Sequence, residues 1–389
     1  MKKILFVTEH LQRGGIEKAL YETIKLLKSQ DVNLTIAVFV NKGDMLSDFS
    51  ALCEVKDLSK DFKVSHFTFD SIIDDLKHMR VFSFCKKVFI RFYEKLFLTN
   101  SKKVFSRIEK MNALNEAYDI AVAYHDPYSR YVPYVANKVN ASKKYVWIHR
   151  DVNSTKGEDT TKEFDNAYSM FDQIICVSNS SAKAFISNHP NFAGKTTVIR
   201  NPIDINNIIA QSQEHANTQE NRPCVKICSV GRLHIEKGFD YAIEACNRLT
   251  KQGYNIRWHV CGEGIARNRL ETLINNYGIS ENFILLGNQA NPYKYINASD
   301  IYVQPSRTES YCITLAEARA LKKPIVTTNF PCASEHVIHE HNGFICEMTP
   351  ESIADAIEKL ILSPELREKF SNNTTPVDSD HTKLKQLFE

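Results

Sequence analysis

Two α/β domains, each a parallel sheet covered by helices on both faces, are predicted by three observations. Short β-branched runs alternate with helical patterns along most of the 389 residues, the rhythm of parallel strands joined by crossover helices. A polar stretch at 204–221, rich in Asn and Gln, interrupts that rhythm once. The length suits two or three domains at roughly 150 residues each.

The first strand is expected at 3–8, built on the apolar run Ile4-Leu5-Phe6-Val7. Further strands follow at 33–40, 119–124, 144–149, 173–177 and 196–200, completing a first domain over 1–203. Residues 204–221 read as a linker. Strands at 225–230, 255–261, 282–286, 300–304, 324–328 and 343–346 build a second domain over 222–371, with helices such as 238–251 and 312–321 between them. Residues 372–389 read as a tail or helix returning to the first domain. Open parallel sheets bind ligands beyond the carboxyl ends of their strands, so two such domains face to face would place a site in the cleft between them.

Composition narrows the class. Basic side chains number 49 against 46 acidic, leaving +3, with 43% hydrophobic and 24% charged residues. Those figures exclude disorder, collagen and a small disulfide scaffold. No run approaches the roughly 18 apolar residues of a membrane span, and Ile4–Val7, followed by Glu9 and His10, is too short for a secretory segment. The ten cysteines form no CxxC pair. The nearest two, Cys224 and Cys228, fall in a strand, so buried thiols in a reducing cytoplasm are expected, and triplets such as the one at Asn179 carry no glycan. A nicotinamide enzyme is disfavoured because GxGxxG is absent. The first strand leads to Arg13-Gly14-Gly15-Ile16-Glu17, and 262–264 reads Gly-Glu-Gly without a third glycine.

One segment departs from the rhythm. From Lys77 to Lys110 the acids are Glu94 and Glu109 alone, against Lys77, Arg80, Lys86, Lys87, Arg91, Lys95, Lys102, Lys103, Arg107 and Lys110, which gives +8 here and −5 elsewhere. Phe82, Phe84, Phe89, Phe92, Tyr93, Phe97 and Phe105 are interleaved with them. A basic aromatic helix suits an anionic membrane surface. A core-facing helix with a solvated basic face fits the same pattern, as does nucleic acid. The membrane is taken as the partner, and nucleic acid is not.

The chemistry concentrates in the second half. Val230-Gly231-Arg232-Leu233-His234-Ile235-Glu236-Lys237-Gly238 links a strand to a helix. Arg232 as a fork and Lys237 as a point charge suit a diphosphate. Pro305-Ser306-Arg307-Thr308-Glu309-Ser310-Tyr311-Cys312-Ile313-Thr314-Leu315-Ala316-Glu317-Ala318 follows another strand. The N–H groups near Tyr311 to Ile313 would offer an anion site at a helix N-terminus. Glu309 and Glu317 beside it suit the hydroxyls of a polyhydroxylated ligand. The competing reading makes Glu309 a cap and places Glu317 on the solvent face.

The E-x7-E spacing of Glu309 and Glu317, the GRLHIEKG loop and the early Gly14-Gly15 turn resemble glycosyltransferase family 4, of the bacterial surface-polysaccharide type. The resemblance continues through 260–264, Leu286-Gly287, 292–305, 321–328 and Asn342-Gly343-Phe344, and takes in Val177-Ser178 and Arg200-Asn201-Pro202-Ile203-Asp204. It covers nearly all of the second domain and the ends of several first-domain strands; 45–115 resembles nothing nameable. It implies the GT-B fold, two Rossmann-like domains with parallel sheets facing across a cleft, and retaining transfer from a nucleotide-diphosphate sugar, UDP above all.

Roles follow by the same resemblance. Arg232 and Lys237 neutralise the donor diphosphate, Glu317 binds the ribose, and Glu309 binds the transferred sugar near its reacting carbon. Backbone N–H groups of Tyr311 and Cys312 hold phosphate oxygens, and Ser310 beside them also belongs to the donor site. Gly14 and Gly15 let a loop approach the donor; Gly262 and Glu263 border it; Asn288 and Gln289 fall where the base is contacted. His149, ending the strand 144–148, is expected to project towards sugar and acceptor, with His125 as a rival and Arg150 and Lys156 on the acceptor side. Two departures stand out: Ser310-Tyr311 where many members have Gly-Phe, and Cys312 where Gly or Pro is frequent, which puts the sugar's identity in doubt.

A front-face retaining transfer needs positioning and charge stabilisation at the diphosphate, and no Asp-x-Asp lies near the site (Asp378-Ser379-Asp380 is in the tail). No metal and no cofactor are expected, the nucleotide sugar being a co-substrate. The basic segment points to a lipid-linked glycan acceptor and a cytoplasmic enzyme held peripherally at the membrane. A soluble or protein acceptor, or a non-catalytic GT-B partner subunit, are the alternatives.

Overall fold

The protein is described from a computed structural model, which defines residues 1–61, 100–125, 127–155, 161–216, 223–377 and 380–389. The chain forms two compact units, Met1–Pro202 with Asp380–Glu389, and Ile203–Ser379.

In the first unit the elements run β1 (Lys2–Thr8), α1 (Gly15–Lys28), β2 (Val32–Val38), α2 (Leu46–Ser50), β3 (Glu54–Asp57), α3 (Asn100–Glu109), β4 (Ala117–His125), α4 (Tyr131–Lys138), β5 (Asn140–Ile148), α5 (Thr161–Ser169), β6 (Gln173–Cys176), α6 (Asn179–Asn188) and β7 (Thr196–Val198). The strands form one sheet in the order β3-β2-β1-β4-β5-β6-β7, every pairing parallel. Ile4, Leu5, Phe6 and Val7 are wholly buried, because a central parallel strand is covered on both faces and so tolerates an unbroken apolar run. Helix α1 buries Ala19, Leu20, Ile24 and Leu27 along one stripe. The hydroxyl of Ser178 caps α6 by accepting from the Ser181 N–H at 3.0 Å.

In the second unit the order is α7 (Ile205–Ser212), β8 (Val225–Val230), α8 (Phe239–Lys251), β9 (Ile256–Cys261), α9 (Arg267–Tyr277), β10 (Phe283–Gly287), α10 (Tyr293–Ala298), β11 (Ile301–Gln304), α11 (Ile313–Ala320), β12 (Ile325–Thr328), β13 (Gly343–Cys346), α12 (Pro350–Leu362) and α13 (Pro364–Asn373). The sheet runs β10-β9-β8-β11-β12-β13, again parallel. This is the doubly wound order, whose reversal lies between β8 and β11. A last helix, α14 (His381–Phe388), belongs to the first unit. Its Phe388 ring lies 5.6 Å from Phe6 and is stacked at 6.4 Å on Trp147.

Three findings differ from the sequence expectation. Strand β3 was not anticipated, since Glu54-Val55-Lys56-Asp57 is a four-residue edge strand with little apolar content. Residues 205–212, expected as linker, are helix α7. Its Ile208 is buried, and Gln211 and Ser212 carbonyls accept from Asn291 and Asn297 at 2.8 and 3.1 Å. The basic segment is described only from Asn100 onward, so Lys77 to Thr99 lie outside the described residues. Where it is described, Phe105 packs edge-on against Phe164 at 5.2 Å and Ile108 is buried, so this end of the segment faces the core.

Candidate active site

The loops after β8 and β11 meet at the reversal of the second sheet. Gly238 ends the first of them with φ +64°, and a Cβ there would stand 1.9 Å from the Pro305 carbonyl oxygen. Only glycine permits both the left-handed turn and that approach. Arg307 ties the loops together. Its N–H donates to the Glu236 carbonyl at 2.8 Å, and its guanidinium grips Asp240 at 2.7 and 2.8 Å over the face of Tyr241.

This contact brings Lys237 to Glu309. The Lys237 ammonium donates to Glu309 Oε1 at 2.6 Å, in a pair whose side chains are 18% and 10% exposed. Burial opposes the charge on Lys237, but the adjacent carboxylate outweighs it and raises the pKa above its ordinary value. The same Oε1 accepts from Ser306 Oγ at 2.8 Å and, at the long limit of 3.5 Å, from Gln304 Nε2. Gln304 is held in turn: its Nε2 donates to Ser306 Oγ at 2.8 Å, and its Oε1 accepts from Tyr302 and Thr314 hydroxyls at 2.9 and 3.0 Å. Gln304 and Ser306 are wholly buried. A buried polar network with every partner in place is rigid, so Glu309 is presented in one orientation with Oε1 fully occupied.

Beyond Glu309 the chain turns into α11 through Cys312, at φ 62° and ψ 70°. A left-handed conformation is costly for a residue with a Cβ and persists where surroundings impose it. Here the Cys332 thiol donates to the Glu309 carbonyl at 3.5 Å, and His336 Nε2 hydrogen-bonds the Tyr311 carbonyl oxygen, with the two rings 5.0 Å apart. Tyr311 and Cys312 are buried, and Ser310 is half-buried. The first N–H groups of α11 therefore start from a fixed loop. One turn on, Glu317 is 2% exposed and accepts from the Tyr293 hydroxyl at 3.3 Å. That burial overturns the solvent-face alternative for Glu317, and its network overturns the reading of Glu309 as a simple cap.

The remaining expected residues are distributed less tightly. Arg232 is exposed on the rim of the β8 loop. Gly262 donates its N–H to Gly287 at 2.8 Å, joining the loops after β9 and β10. Glu263 is half-exposed and paired with Arg267 at 2.7 Å. Asn288 is exposed, and Gln289 Nε2 donates to the Leu286 carbonyl at 2.7 Å. In the first unit Gly14 is the N-cap of α1, and Gly15 its first residue. His149, expected to project outward, is only 7% exposed; its ring lies 4.3 Å from Tyr124 and is stacked at 6.4 Å on Trp147. Lys156 lies outside the described residues, and Arg150 is exposed.

Sequence reading missed Gln304, Ser306, Tyr293, Thr314, Cys332 and His336. Gln304 carried a signal, being a polar residue ending an otherwise apolar buried strand. His336 and Cys332 carried none, since only the fold brings them to the loop.

Residues 210–376 match the family model described as "Glycosyl transferases group 1". The chain is 32% identical over 162 residues to the alpha-D-kanosaminyltransferase of Streptomyces kanamyceticus, covering 41% of each chain. It is 30% identical over 148 residues to the capsular polysaccharide biosynthesis glycosyltransferase CapM of Staphylococcus aureus, covering 37% of this chain and 38% of that one. It is 25% identical over 207 residues to the Campylobacter jejuni N-acetylgalactosamine-N,N'-diacetylbacillosaminyl-diphospho-undecaprenol 4-alpha-N-acetylgalactosaminyltransferase, covering 53% and 55%. The chain thus spans about half the length or less of these relatives. The crystal structure of Anabaena Alr3699/HepE in complex with UDP matches 100% of this chain and 98% of its own, with a TM-score of 0.71 at 18% identity. The fold is GT-B.

Proposed function

We propose that the protein is a retaining glycosyltransferase that moves a sugar from a UDP-linked donor to a lipid-linked glycan in cell-surface polysaccharide synthesis. The observation that carries this reading is a pair of carboxylates flanking the α11 N-terminus, the buried Glu317 and the partly buried Glu309, with Lys237 fixed against Glu309. Such an arrangement suits a ligand with a diphosphate at its centre and hydroxyl groups at both ends.

Glu317 takes the ribose hydroxyls. Lys237 and Arg232 take the diphosphate, with backbone N–H groups from Ser310 to Cys312. Glu309 orients the transferred sugar. In the step itself the anomeric C–O bond to phosphate breaks and the acceptor oxygen bonds to the same face. The acceptor's proton passes to the departing phosphate oxygen. The protein supplies positioning and positive charge, and no metal is required. His149 is assigned to the sugar's reacting end on the resemblance alone.

The names of two relatives support the acceptor class: one belongs to capsule synthesis, the other carries a diphospho-undecaprenol substrate. UDP in the HepE crystal supports the nucleotide. Segment 77–110 is assigned to an anionic membrane on the cytoplasmic side, for its charge of +8. No described helix is long and apolar enough to cross a membrane.

Screening wild-type protein against a panel of nucleotide sugars, by thermal shift and by hydrolysis, tests the reading. Stabilisation and slow hydrolysis by a UDP-sugar, undiminished by EDTA, are expected. No binding of any nucleotide diphosphate would end it. Sedimentation with anionic vesicles tests the membrane assignment. Reversing Lys86, Lys87, Arg91 and Lys95 to Glu is expected to release the protein, and equal binding by both forms would refute the docking role.

A further inference from the structure

The first sheet has its own reversal, between β1 and β4, and the crevice beyond such a point is where open α/β sheets take ligands. Three titratable side chains converge there. Glu17, the third residue of α1, folds back on the helix N-terminus so closely that a Cβ on Gly14 would stand 2.6 Å from its Oε2. It is 4% exposed, yet its Oε1 receives no hydrogen bond of good geometry from the described residues. Two imidazoles flank it instead, His10 Nδ1 at 3.3 Å and His125 Nε2 at 3.7 Å. His125 is anchored on its other nitrogen, Nδ1 lying 3.2 Å from the Tyr131 hydroxyl.

His10 is placed differently. Its Nδ1 lies 3.3 Å from Glu17 Oε1, which it faces as a donor when it carries the proton, and 3.3 Å from the Gln12 N–H, from which it accepts when it does not. Its Nε2 meets no hydrogen-bond partner among the described residues, and the side chain is 33% exposed. The buried carboxylate stays ionised because the flanking histidines outweigh the penalty of burial. An imidazole backed by a carboxylate on one nitrogen offers the other as an oriented hydrogen-bonding atom. A helix-capping role explains why Glu17 sits in the first turn of α1. It does not explain two histidines, one of them open to solvent, at the reversal of a parallel sheet.

We propose that His10, oriented by Glu17 with His125 behind it, binds a saccharide hydroxyl, and that this is the reacting hydroxyl of the acceptor. The assignment to the acceptor rests on the function proposed above; the hydroxyl-binding site itself does not. A phosphate is the wrong ligand here. Glu17 is negative, Arg13 is committed to Asp44 and Asp48 at 3.4 and 3.9 Å, and Arg130 to Glu9 at 3.1 Å. A hydroxyl can both donate to and accept from an imidazole nitrogen without an added charge.

Three measurements on the full chain test the proposal. With a short soluble acceptor, His10→Ala is expected to raise acceptor KM about tenfold, the loss of one hydrogen bond to an oriented polar group. UDP affinity by calorimetric titration should stay within about twofold of wild type, since no hydrogen bond to the donor is lost. Glu17→Gln preserves shape and is expected to raise acceptor KM in the same direction. Unchanged acceptor kinetics in His10→Ala would overturn the proposal, and so would a loss of UDP affinity as large as the loss of transfer. Independently of turnover, the His10 imidazole ¹⁵N resonances are followed while methyl glycosides are titrated in. A shift at His10 with at least one glycoside is expected. No shift with any of them, or undiminished glycoside affinity in His10→Ala, would overturn the site. Should wild type use no nucleotide sugar at all, the functional reading fails while this titration still decides the site.

Discussion

The two units place their polar chemistry at the same topological point and fill it with different groups. Each sheet reverses between its first strand and a later neighbour, β1 against β4 and β8 against β11. In the second unit a carboxylate meets an ammonium at 2.6 Å, and hydrogen bonds from Ser306, Gln304, Cys332 and His336 hold the loop behind it. In the first unit a carboxylate meets two imidazoles at 3.3 and 3.7 Å, and the neighbouring support is aromatic: Tyr124, His149, Trp147 and Phe388 pack in sequence. A permanent ammonium suits a diphosphate, whereas an imidazole near neutrality suits a hydroxyl. Topology therefore fixes where a ligand is met, and the loop residues fix which ligand.

The sharpest way to break this contrast is Glu309→Gln. It keeps the size and most of the hydrogen bonds but removes the charge opposite Lys237. On the proposed role of Glu309 beside the transferred sugar, loss of this preorganised group is expected to lower kcat roughly 100- to 1000-fold. Nucleotide affinity should hold or tighten, because Lys237 is freed for the diphosphate. A kcat within about tenfold of wild type would reduce Glu309 to a staple between two loops.

In the first unit the matching substitution is Glu17→Gln, and its signature is pH. Burial alone would raise the Glu17 pKa, but the adjacent His10 and His125 imidazoles bring it from 4.5 to about 2. A lowered carboxylate pKa contributes stability above its unfolded value, here about 3 kcal/mol, and that contribution fades as pH falls towards 2. His10 acts in the opposite sense. Its pKa is raised, chiefly by Glu17, so its contribution is full below 6.5 and fades as pH rises through its folded value. Each unit holds one of the protein's two tryptophans, Trp147 and Trp258. In a Trp258→Phe background, Trp147 fluorescence follows the first unit alone. Glu17→Gln is expected to be less stable near neutrality and to close the gap to its parent as pH falls from 4.5 towards 2. A constant gap across that range would mean that the carboxylate contributes shape and not charge.

Legibility in the sequence follows how local each signal is. Ile4–Val7, the strand ending at Gln304 and the Gly-rich loop to Gly238 are contiguous patterns, so the strands, the loops and the residues Lys237, Glu309 and Glu317 could be read directly. That Lys237 and Glu309 are partners could not, because they are 72 residues apart. His336 reaches the site from 25 residues beyond Tyr311. Edge strand β3 is short and polar and helix α7 is a single eight-residue stretch, Ile205–Ser212, so their identity comes from what they dock on. Phe105 illustrates the reverse error: alternation of charge and aromatics cannot say which face turns inward, and the described end of that segment turns its ring to Phe164.

A smaller effect tests the nucleotide end of the second site. If Glu317 holds the ribose as proposed, Glu317→Ala removes charged hydrogen bonds of about 1.5–3 kcal/mol each and should weaken nucleotide binding about 10- to 100-fold by calorimetry. It also leaves the buried Tyr293 hydroxyl without that acceptor. Tyr293→Phe therefore belongs beside it. If both substitutions weaken binding equally, Glu317 acts by supporting α10 and not by touching the ligand.

The smallest effect is expected at Cys312, where the contrast between side-chain and backbone support is most direct. Its left-handed backbone, φ 62° and ψ 70°, costs on the order of 1 kcal/mol for a residue with a Cβ. Glycine removes that strain, but adds unfolded-state freedom worth roughly 0.5–1 kcal/mol. It also forfeits the buried thiol and its 3.4 Å contact with Thr314 Oγ1. The terms nearly cancel, so Cys312→Gly should melt close to wild type. Cys312→Val should melt lower, since a β-branched residue fits positive φ poorly. If His336, Cys332 and Ser306 hold the loop from outside, nucleotide affinity in Cys312→Gly stays within about twofold, because no charged hydrogen bond is lost. Calorimetric titration with UDP decides it. A clear loss of affinity in the glycine variant, with the melting temperature unchanged, would mean that the loop's own stiffness and not its neighbours presents Glu309, and the second unit would then lose the feature that sets it apart from the first.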